Sequence, residues 1–133
     1  MEKEMKPSSW ADTLFAITLF QEDLAAAKKF YQSVFELEQV WEDAHSCVFK
    51  IGGTMINLLD ACQADGLLTP AKMASADAGV RAVYTIHVED VDEMCAKLKA
   101  QGVTLINGPL DRPWGIRTAS FADPGGTIWE IAK

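Results

Sequence analysis

Two matching segments of the chain place the residues best suited to bind a ligand, Asn57 and Glu130, at equivalent positions. Gly52–Leu58 reads GGTMINL, and Gly125–Ile131, 73 positions later, reads GGTIWEI. A Glu130 carboxylate that faced a cavity would need a cation, water or a hydrogen-bonding ligand. The Asn57 amide both donates and accepts hydrogen bonds, which suits the anchoring of a polar ligand. The alternatives are a solvated carboxylate at a cavity mouth and an ordinary polar residue on a half-exposed strand.

A second pair of matching segments opens the two halves of the chain. Ile17–Leu24 reads ITLFQEDL, and Tyr84–Val91, 67 positions later, reads YTIHVEDV. Because side chains alternate along a strand, each segment presents a common face. Four side chains on these faces would line a cavity with two hydroxyls, a ring and an imidazole: Thr18, Phe20, Thr85 and His87. For His87 the alternative is a histidine with a purely structural hydrogen bond.

A loop that enters a later strand holds a further candidate pair, Trp114 and Arg117, with Arg112 and Pro113 beside them. An aromatic ring next to a guanidinium suits stacking on a flat ligand or a contact between subunits. The alternative is a surface loop with one buried tryptophan. The sequence contains no Ser-His-Asp set, phosphate-binding loop or Cys-His pair at catalytic spacing. It therefore indicates only Glu130 and His87 as catalytic candidates.

These residues must be positioned by a duplicated unit, because the paired segments recur in the same order in both halves. Each half is predicted to run strand, helix, strand, strand, strand. We therefore expect an α+β protein whose two βαβββ modules form a cupped, half-open, eight-stranded mixed sheet around a cavity. A ferredoxin-like sandwich fits the same pattern. Residues 1–133 are predicted to be a single domain, with module one at about 11–59, a connection at about 60–80 and module two at about 81–133.

Local patterns give the bounds of these elements. Apolar spacing predicts helices over Leu24–Phe35, after an N-cap at Asp23, and from Val91 to Gly102. The connection is predicted to hold one short helix and to serve as a functional lid or a plain linker. Seven strands follow from alternation and turn signals: Thr13–Gln21, Glu38–Trp41, Ser46–Ile51, Thr54–Leu59, Thr104–Asn107, Arg117–Phe121 and Thr127–Ala132. Four large side chains are predicted to lie in the core: Phe30, Tyr31, Trp129 and Ile131.

Composition restricts the classes of function. Of the 133 residues, 49% are hydrophobic and 23% are charged, which is typical of a globular protein with a core. The net charge of −7 argues against nucleic-acid binding, which needs clustered Lys and Arg. No apolar stretch is long enough to cross a membrane, and residues 1–10 form a polar lead-in without the apolar region of a secretory signal. Three cysteines at irregular spacing indicate reduced thiols and a cytoplasmic location.

Three motifs carry a resemblance to a known family. The segment Phe121–Ile131, FADPGGTIWEI, resembles the closing F-x-D-P-x-G-x-x-x-E motif of the glyoxalase/bleomycin-resistance/extradiol-dioxygenase group, the vicinal oxygen chelate superfamily. Glu22-Asp23-Leu24 through Phe30-Tyr31 resembles the start of the family's helix, and Trp114–Arg117 resembles its W-G-x-R run. The resemblance covers about Asp12 to Lys133 and implies the same cupped fold. The family contains isomerases, ring-cleaving dioxygenases, transferases and drug-sequestering proteins.

The resemblance also locates the four positions that hold a divalent metal in catalytic members. These positions are occupied here by Ala16, Asn57, Val83 and Glu130. Two hydrocarbon groups, one amide and one carboxylate do not make the three or more His, Cys or carboxylate ligands of a zinc-type site. His87 cannot substitute, because four residues along a strand span roughly 13 Å. We expect no cofactor; a divalent metal, or a two-ligand site at His45 and Cys47, is the less favoured alternative.

The resulting expectation is a protein that binds a small organic molecule, aromatic or antibiotic-like, in the sheet cavity without a catalytic metal. Homodimerisation is implied by the resemblance, and the cavity is expected within one chain or across two. The first alternative is a lyase, isomerase or dioxygenase-type enzyme that uses a non-standard metal site or takes Glu130 or His87 as general base. The second is a structural or regulatory module whose own side chains fill the cavity.

Overall fold

The protein folds into two modules of similar construction. The computed structural model describes Ser9 and residues 12–133, so the predicted lead-in lies outside the described residues apart from Ser9. The elements, in order, are β1 Ala16–Gln21, α1 Leu24–Ser33, β2 Glu38–Glu42, β3 Ser46–Ile51, β4 Thr54–Asp60, a 3₁₀ turn Ala61–Gln63, α2 Ala64–Leu68, β5 Val83–His87, α3 Val91–Ala100, β6 Leu105–Asp111, β7 Arg117–Ala122 and β8 Ile128–Ala132. The short helix predicted in the connection is α2.

Both long helices begin where their N-caps predict. The Asp23 carboxylate accepts from the backbone N–H of Ala26, and the Asp90 carboxylate accepts from that of Glu93, both at 3.0 Å. These bonds satisfy backbone donors that have no partner within the helix. The first helix is shorter than predicted and ends at Ser33, because the chain turns there: Glu36 adopts a left-handed φ of 55°.

The eight strands form two four-stranded sheets. Sheet 1 has the order β1-β4-β3-β2 and sheet 2 the order β5-β8-β7-β6, and in each the first and last strands of the module pair in parallel. Within the described part of the chain, no strand pairing joins the two sheets. The predicted α+β class with two βαβββ modules is therefore confirmed, and the sheets do not close into a barrel.

One core serves both modules. The Tyr31 ring of α1 lies 5.9 Å from Phe49 of sheet 1 and 6.3 Å from Trp129 of sheet 2, measured between ring centroids. The Phe35 ring beyond the end of α1 also packs on Phe121 and Trp129 of sheet 2, so the α1 region lies between the helix-covered faces of the two sheets. The predicted burial of Tyr31, Trp129 and Ile131 is confirmed. The opposite faces of the sheets, called here the outer faces, therefore point away from each other in a single chain.

A buried carboxylate lies at the junction of the modules. Asp123 Oδ2 accepts from the hydroxyl of Tyr31 at 2.7 Å and from the side-chain amide of Gln21 at 3.1 Å, and Trp129 Nε1 donates to the Tyr31 hydroxyl at 2.9 Å. Asp123 Oδ1 accepts from the backbone N–H groups of Gly125 and Thr127, each at 2.9 Å. Burial, with the Asp123 charge beside it, raises the pKa of Tyr31 far above its ordinary value. Both oxygens of this carboxylate are thus satisfied.

We predict that Tyr31→Phe destabilises the protein by about 1–3 kcal/mol, because it removes a donor from a buried carboxylate and an acceptor from Trp129. The free energy of unfolding in urea measures this. Tyr84→Phe is the matched control, since its hydroxyl is not among the described donors to Asp123. Equal losses in the two variants would contradict the role given to the junction.

Tyr31 also predicts a pH dependence at the alkaline end. Its pKa is raised in the folded state, so above pH about 10 the unfolded chain releases a proton that the folded chain keeps. The stabilisation is therefore fully present below that pH and is lost as the pH rises, by up to about 1.4 kcal/mol per pH unit. Urea unfolding from about pH 8 to about pH 11 should show this slope in the wild type and a flatter one in Tyr31→Phe.

Candidate functional site

A row of four side chains crosses the outer face of sheet 1, one from each strand. Row 1 consists of Thr18, Asn57, Val48 and Trp41, which are successive register partners. Asn57 Nδ2 donates to Thr18 Oγ1 at 3.3 Å, whereas Asn57 Oδ1 is buried and has no hydrogen-bond donor among the described residues. The Trp41 side chain ends the row and is 60% exposed. Row 1 therefore offers, on β4, an acceptor that no described donor uses, and a flat apolar surface at its β2 end.

The equivalent row on sheet 2 is polar throughout. Row 2 consists of Thr85, Glu130, Ser120 and Asn107, again successive register partners. Thr85 Oγ1 donates to Glu130 Oε1 at 2.9 Å, in the same arrangement as the threonine and asparagine of row 1. Glu130 is half-buried. The two sequence repeats thus place a matched pair on each outer face, a threonine on the edge strand and an amide or carboxylate on the strand beside it.

An arginine borders row 2. Arg112 Nε donates to Thr118 Oγ1 at 2.8 Å, and Arg112 Nη2 donates to Asn107 Oδ1 at 3.2 Å. Its guanidinium carbon lies 5.9 Å from the ring centroid of Trp114, a cation–π geometry, and this ring is 68% exposed. The predicted aromatic and guanidinium pair therefore forms, with Arg112 rather than Arg117 as the cation.

Arg117 lies on the other face of β7 and contacts α3. It donates from Nε and Nη2 to the carboxylate of Asp92, at 3.0 and 2.9 Å, and from Nη1 to Asp111 at 3.1 Å. These bonds raise the pKa of Arg117 and lower that of Asp92. The structure does not bring Arg117 to row 2, because neighbouring residues of a strand point to opposite faces and Thr118 occupies the outer one.

The remaining predicted site residues lie at the margins of the outer faces. His87 is exposed at the end of β5, opposite Ala132. Phe20 is half-buried on β1 and lines a cavity of about 330 Å³ together with part of the connection and the start of β8. The structure thus brings together Thr18 with Asn57 and Thr85 with Glu130. Phe20 and His87 lie outside these pairs.

The comparison with known families agrees with this architecture. The model of the Glyoxalase/Bleomycin resistance protein/Dioxygenase superfamily matches residues 13–131. The chain belongs to this superfamily. No curated protein matches the chain. None of the helices that the structure describes has the length and apolar character needed to span a membrane.

Solved structures of similar fold come from several bacteria. A lactoylglutathione lyase from Agrobacterium tumefaciens is 23% identical, over 92% of this chain and 93% of that chain, with a TM-score of 0.74. A glyoxalase/bleomycin resistance protein/dioxygenase from Nocardioides is 23% identical over 94% and 85%, with a TM-score of 0.80. A glyoxalase-related enzyme from Fulvimarina pelagi is 23% identical over 92% and 88%, with a TM-score of 0.77. At these identities the similarity shows the fold.

The positions that the superfamily uses for a metal do not fit a divalent ion in this chain. Ala16 and Val83 offer a methyl and an isopropyl group, which coordinate nothing. The amide oxygen of Asn57 and the carboxylate of Glu130 remain, and they lie on the outer faces of different sheets. Zinc and similar ions take three or more protein ligands of His, Cys or carboxylate type. The donors for this glyoxalase-type centre are therefore insufficient.

The alternative pairing of His45 with Cys47 is not formed. Cys47 is 1% exposed and packs in the core, where burial raises the pKa of its thiol. His45 is exposed in the turn before β3. The two residues are separated because Cys47 is turned inward against α1 while the preceding turn stays in solvent.

Sequence reasoning missed four members of the rows, namely Trp41, Val48, Ser120 and Asn107. Alternation along β7 could have identified Ser120, since it lies opposite Glu130. Trp41 and Asn107 were not accessible in this way, because a register shift between Gln39 and Trp41, and another between Leu105 and Asn107, rotates each of them to the outer face. The two shifts occupy equivalent places in the two modules.

We predict that Asn57→Leu stabilises the ligand-free protein by about 1 kcal/mol, because it removes a buried acceptor that has no donor and keeps a similar volume. Thr18→Val is the companion variant and should destabilise the protein, since it takes away the acceptor of the Asn57 amide. Urea denaturation of both variants measures the effects. A clear destabilisation by Asn57→Leu would mean that its carbonyl oxygen is already paired.

Proposed function

We propose that the protein is a homodimer that binds a small organic molecule, carrying an aromatic group and hydrogen-bond donors, in a cavity between row 1 of one chain and row 2 of the other. The proposal rests chiefly on Asn57 Oδ1, which is buried beside Thr18 and has no donor within the described part of the chain; Glu130 beside Thr85 is its match on sheet 2. A buried acceptor without a donor costs free energy that a ligand donor would recover.

The chemistry of the rows supports this choice of ligand. Asn57 and Glu130 present acceptors, so the ligand must bring N–H or O–H groups. A net charge of −7 favours a neutral or cationic molecule over an anion. Trp41, exposed at the end of row 1, supplies a surface on which a flat ring can stack. An aromatic amine combines these properties, and it is the ligand class that we propose.

The need for a second chain follows from the direction of the outer faces. Within one chain rows 1 and 2 point apart, so neither can complete a cavity with the other. Large apolar side chains are exposed on the outer faces, namely Trp41 at 60% in row 1 and Val83 at 52%, two residues before Thr85 on β5. Such exposure is typical of surfaces that are covered by a partner. A copy of the same chain supplies the missing row with the matching pseudo-symmetry.

Metal chemistry is not part of the proposal. The lactoylglutathione lyase from A. tumefaciens shares the fold at 23% identity. In this chain Ala16 and Val83 replace two of the superfamily's ligands. The remaining groups, the Asn57 amide and the Glu130 carboxylate, are better suited to accept hydrogen bonds than to hold a metal. We propose a sequestering role comparable to that of the bleomycin-resistance branch, with binding rather than turnover as the function.

We predict that a panel of aromatic amines, with proflavine as the fluorescent reporter, includes compounds that bind saturably and raise the melting temperature. Glu130→Gln should weaken this binding by about tenfold or more, because a charge-assisted hydrogen bond contributes about 1.5–3 kcal/mol. His87→Gln, on the same outer face but outside the rows, is the control and should bind normally. Failure of the whole panel to bind would contradict the ligand class.

Mixing two variants tests whether the cavity spans two chains. Asn57→Leu and Glu130→Gln each damage every cavity in their own homodimers. A heterodimer of the two has one cavity with both changes and one with neither, so after subunit exchange about a quarter of all cavities should bind proflavine with wild-type affinity. No recovery on mixing would place both residues in a cavity of a single chain. Sedimentation velocity gives the oligomeric state independently.

A further inference from the structure

Three potential metal ligands come together at one corner of sheet 1. His45 precedes β3, Asp60 ends β4, and Cys62 follows in the 3₁₀ turn. One ligand atom from each lies within 4.8 Å of the others, and Cys62 Sγ is 3.8 Å from His45 Nδ1. The carboxylate is half-buried, while the imidazole and the thiol are exposed. The corner lies three residues along β4 from Asn57, about 10 Å, and does not depend on the proposed ligand cavity.

The backbone holds these three residues in place. The N–H of Asp60 donates to the carbonyl of His45 at 2.8 Å, which joins the end of β4 to the turn before β3. Asp60 Oδ1 accepts from the N–H of Cys62 at 2.9 Å, and Asp43 Oδ1 accepts from the N–H of His45 at 2.9 Å. The cluster is therefore largely pre-organised.

The separation of the ligand atoms fits a tetrahedral ion. Zinc binds thiolate sulfur at about 2.3 Å and imidazole nitrogen at about 2.0–2.1 Å, so two such ligands at a tetrahedral angle lie roughly 3.5 Å apart. The observed 3.8 Å between Cys62 Sγ and His45 Nδ1 needs only a small contraction. Sulfur and imidazole ligands favour zinc over magnesium or calcium, which take oxygen.

We propose that His45, Asp60 and Cys62 form a zinc site, with water in the fourth position. On binding, the Cys62 thiol loses its proton to solvent, the thiolate and the imidazole Nδ1 each donate a lone pair to the ion, and the carboxylate of Asp60 completes the protein ligands. The bound ion ties the start of the connection to the turn between β2 and β3. The site lies apart from the positions at which the superfamily holds its metal.

Cobalt(II) is the probe, because it occupies zinc sites and is coloured. Titration of the metal-free protein with Co²⁺ should give the d–d bands of a tetrahedral ion and a thiolate-to-cobalt charge-transfer band, saturating at one equivalent and displaced by Zn²⁺. Cys62→Ser should abolish the charge-transfer band. Cys47 and Cys95 remain in this variant as internal controls, since both are buried.

Two matched pairs of variants test the other ligands. His45→Ala should weaken Zn²⁺ binding at least about 100-fold, the upper end of the loss seen for an outer-shell partner, whereas His87→Ala should leave it unchanged. Asp60→Asn retains the acceptor for the Cys62 N–H but not the carboxylate, and should weaken binding as well, while Asp65→Asn in α2 should not. A charge-transfer band that survives Cys62→Ser, equal losses in the two histidine variants, or no band at all would overturn the proposal.

Discussion

The buried carboxylate of Asp123 fixes how the two modules meet. A charge removed from water must be fully hydrogen-bonded, because loss of even one neutral donor costs about 1–3 kcal/mol. Asp123 meets this requirement with donors from both modules: Tyr31 and Gln21 from the first, and the backbone of its own turn in the second. α1 must therefore lie against β8. Once it does, the helix-covered faces of both sheets are turned inward and both rows face outward.

The two modules are related by pseudo-symmetry, but their junction is polar around Asp123 and apolar at the equivalent positions. The repeat partners of Gln21, Tyr31 and Asp123 are Val88, Leu98 and Lys50, at offsets of 67, 67 and 73 residues. Val88 and Leu98 line an apolar cavity of about 410 Å³ between the modules, and Lys50 is exposed. The duplicated scaffold thus keeps its shape while its two interior halves differ in chemistry. The hydrogen-bonded network lies on one side of the junction, and apolar side chains line the cavity on the other.

The outer faces show the same combination of shared geometry and different chemistry. Each carries a threonine bonded to a residue of the last strand, yet one face offers an amide and a tryptophan and the other a carboxylate, a hydroxyl and a second amide. Two such faces are complementary rather than identical. In the proposed dimer, row 1 of one chain would lie opposite row 2 of the other, so that an aromatic surface faces a polar one, which is the usual composition of a small-molecule pocket.

The sequence alone determined the repeat, the capped helices at Asp23 and Asp90 and the equivalence of Asn57 with Glu130, because these depend on local hydrogen bonds and on alternation along a strand. The tertiary structure decided the rest. Asp123 reads as a turn residue until Tyr31 is brought beside it from 92 positions away. Trp41 would face the core in a regular ladder, and only the extra residue between Gln39 and Trp41 rotates it to the outer face. A bulge changes which side of a sheet a residue occupies without changing the residues around it, so its effect is visible only once strands are paired.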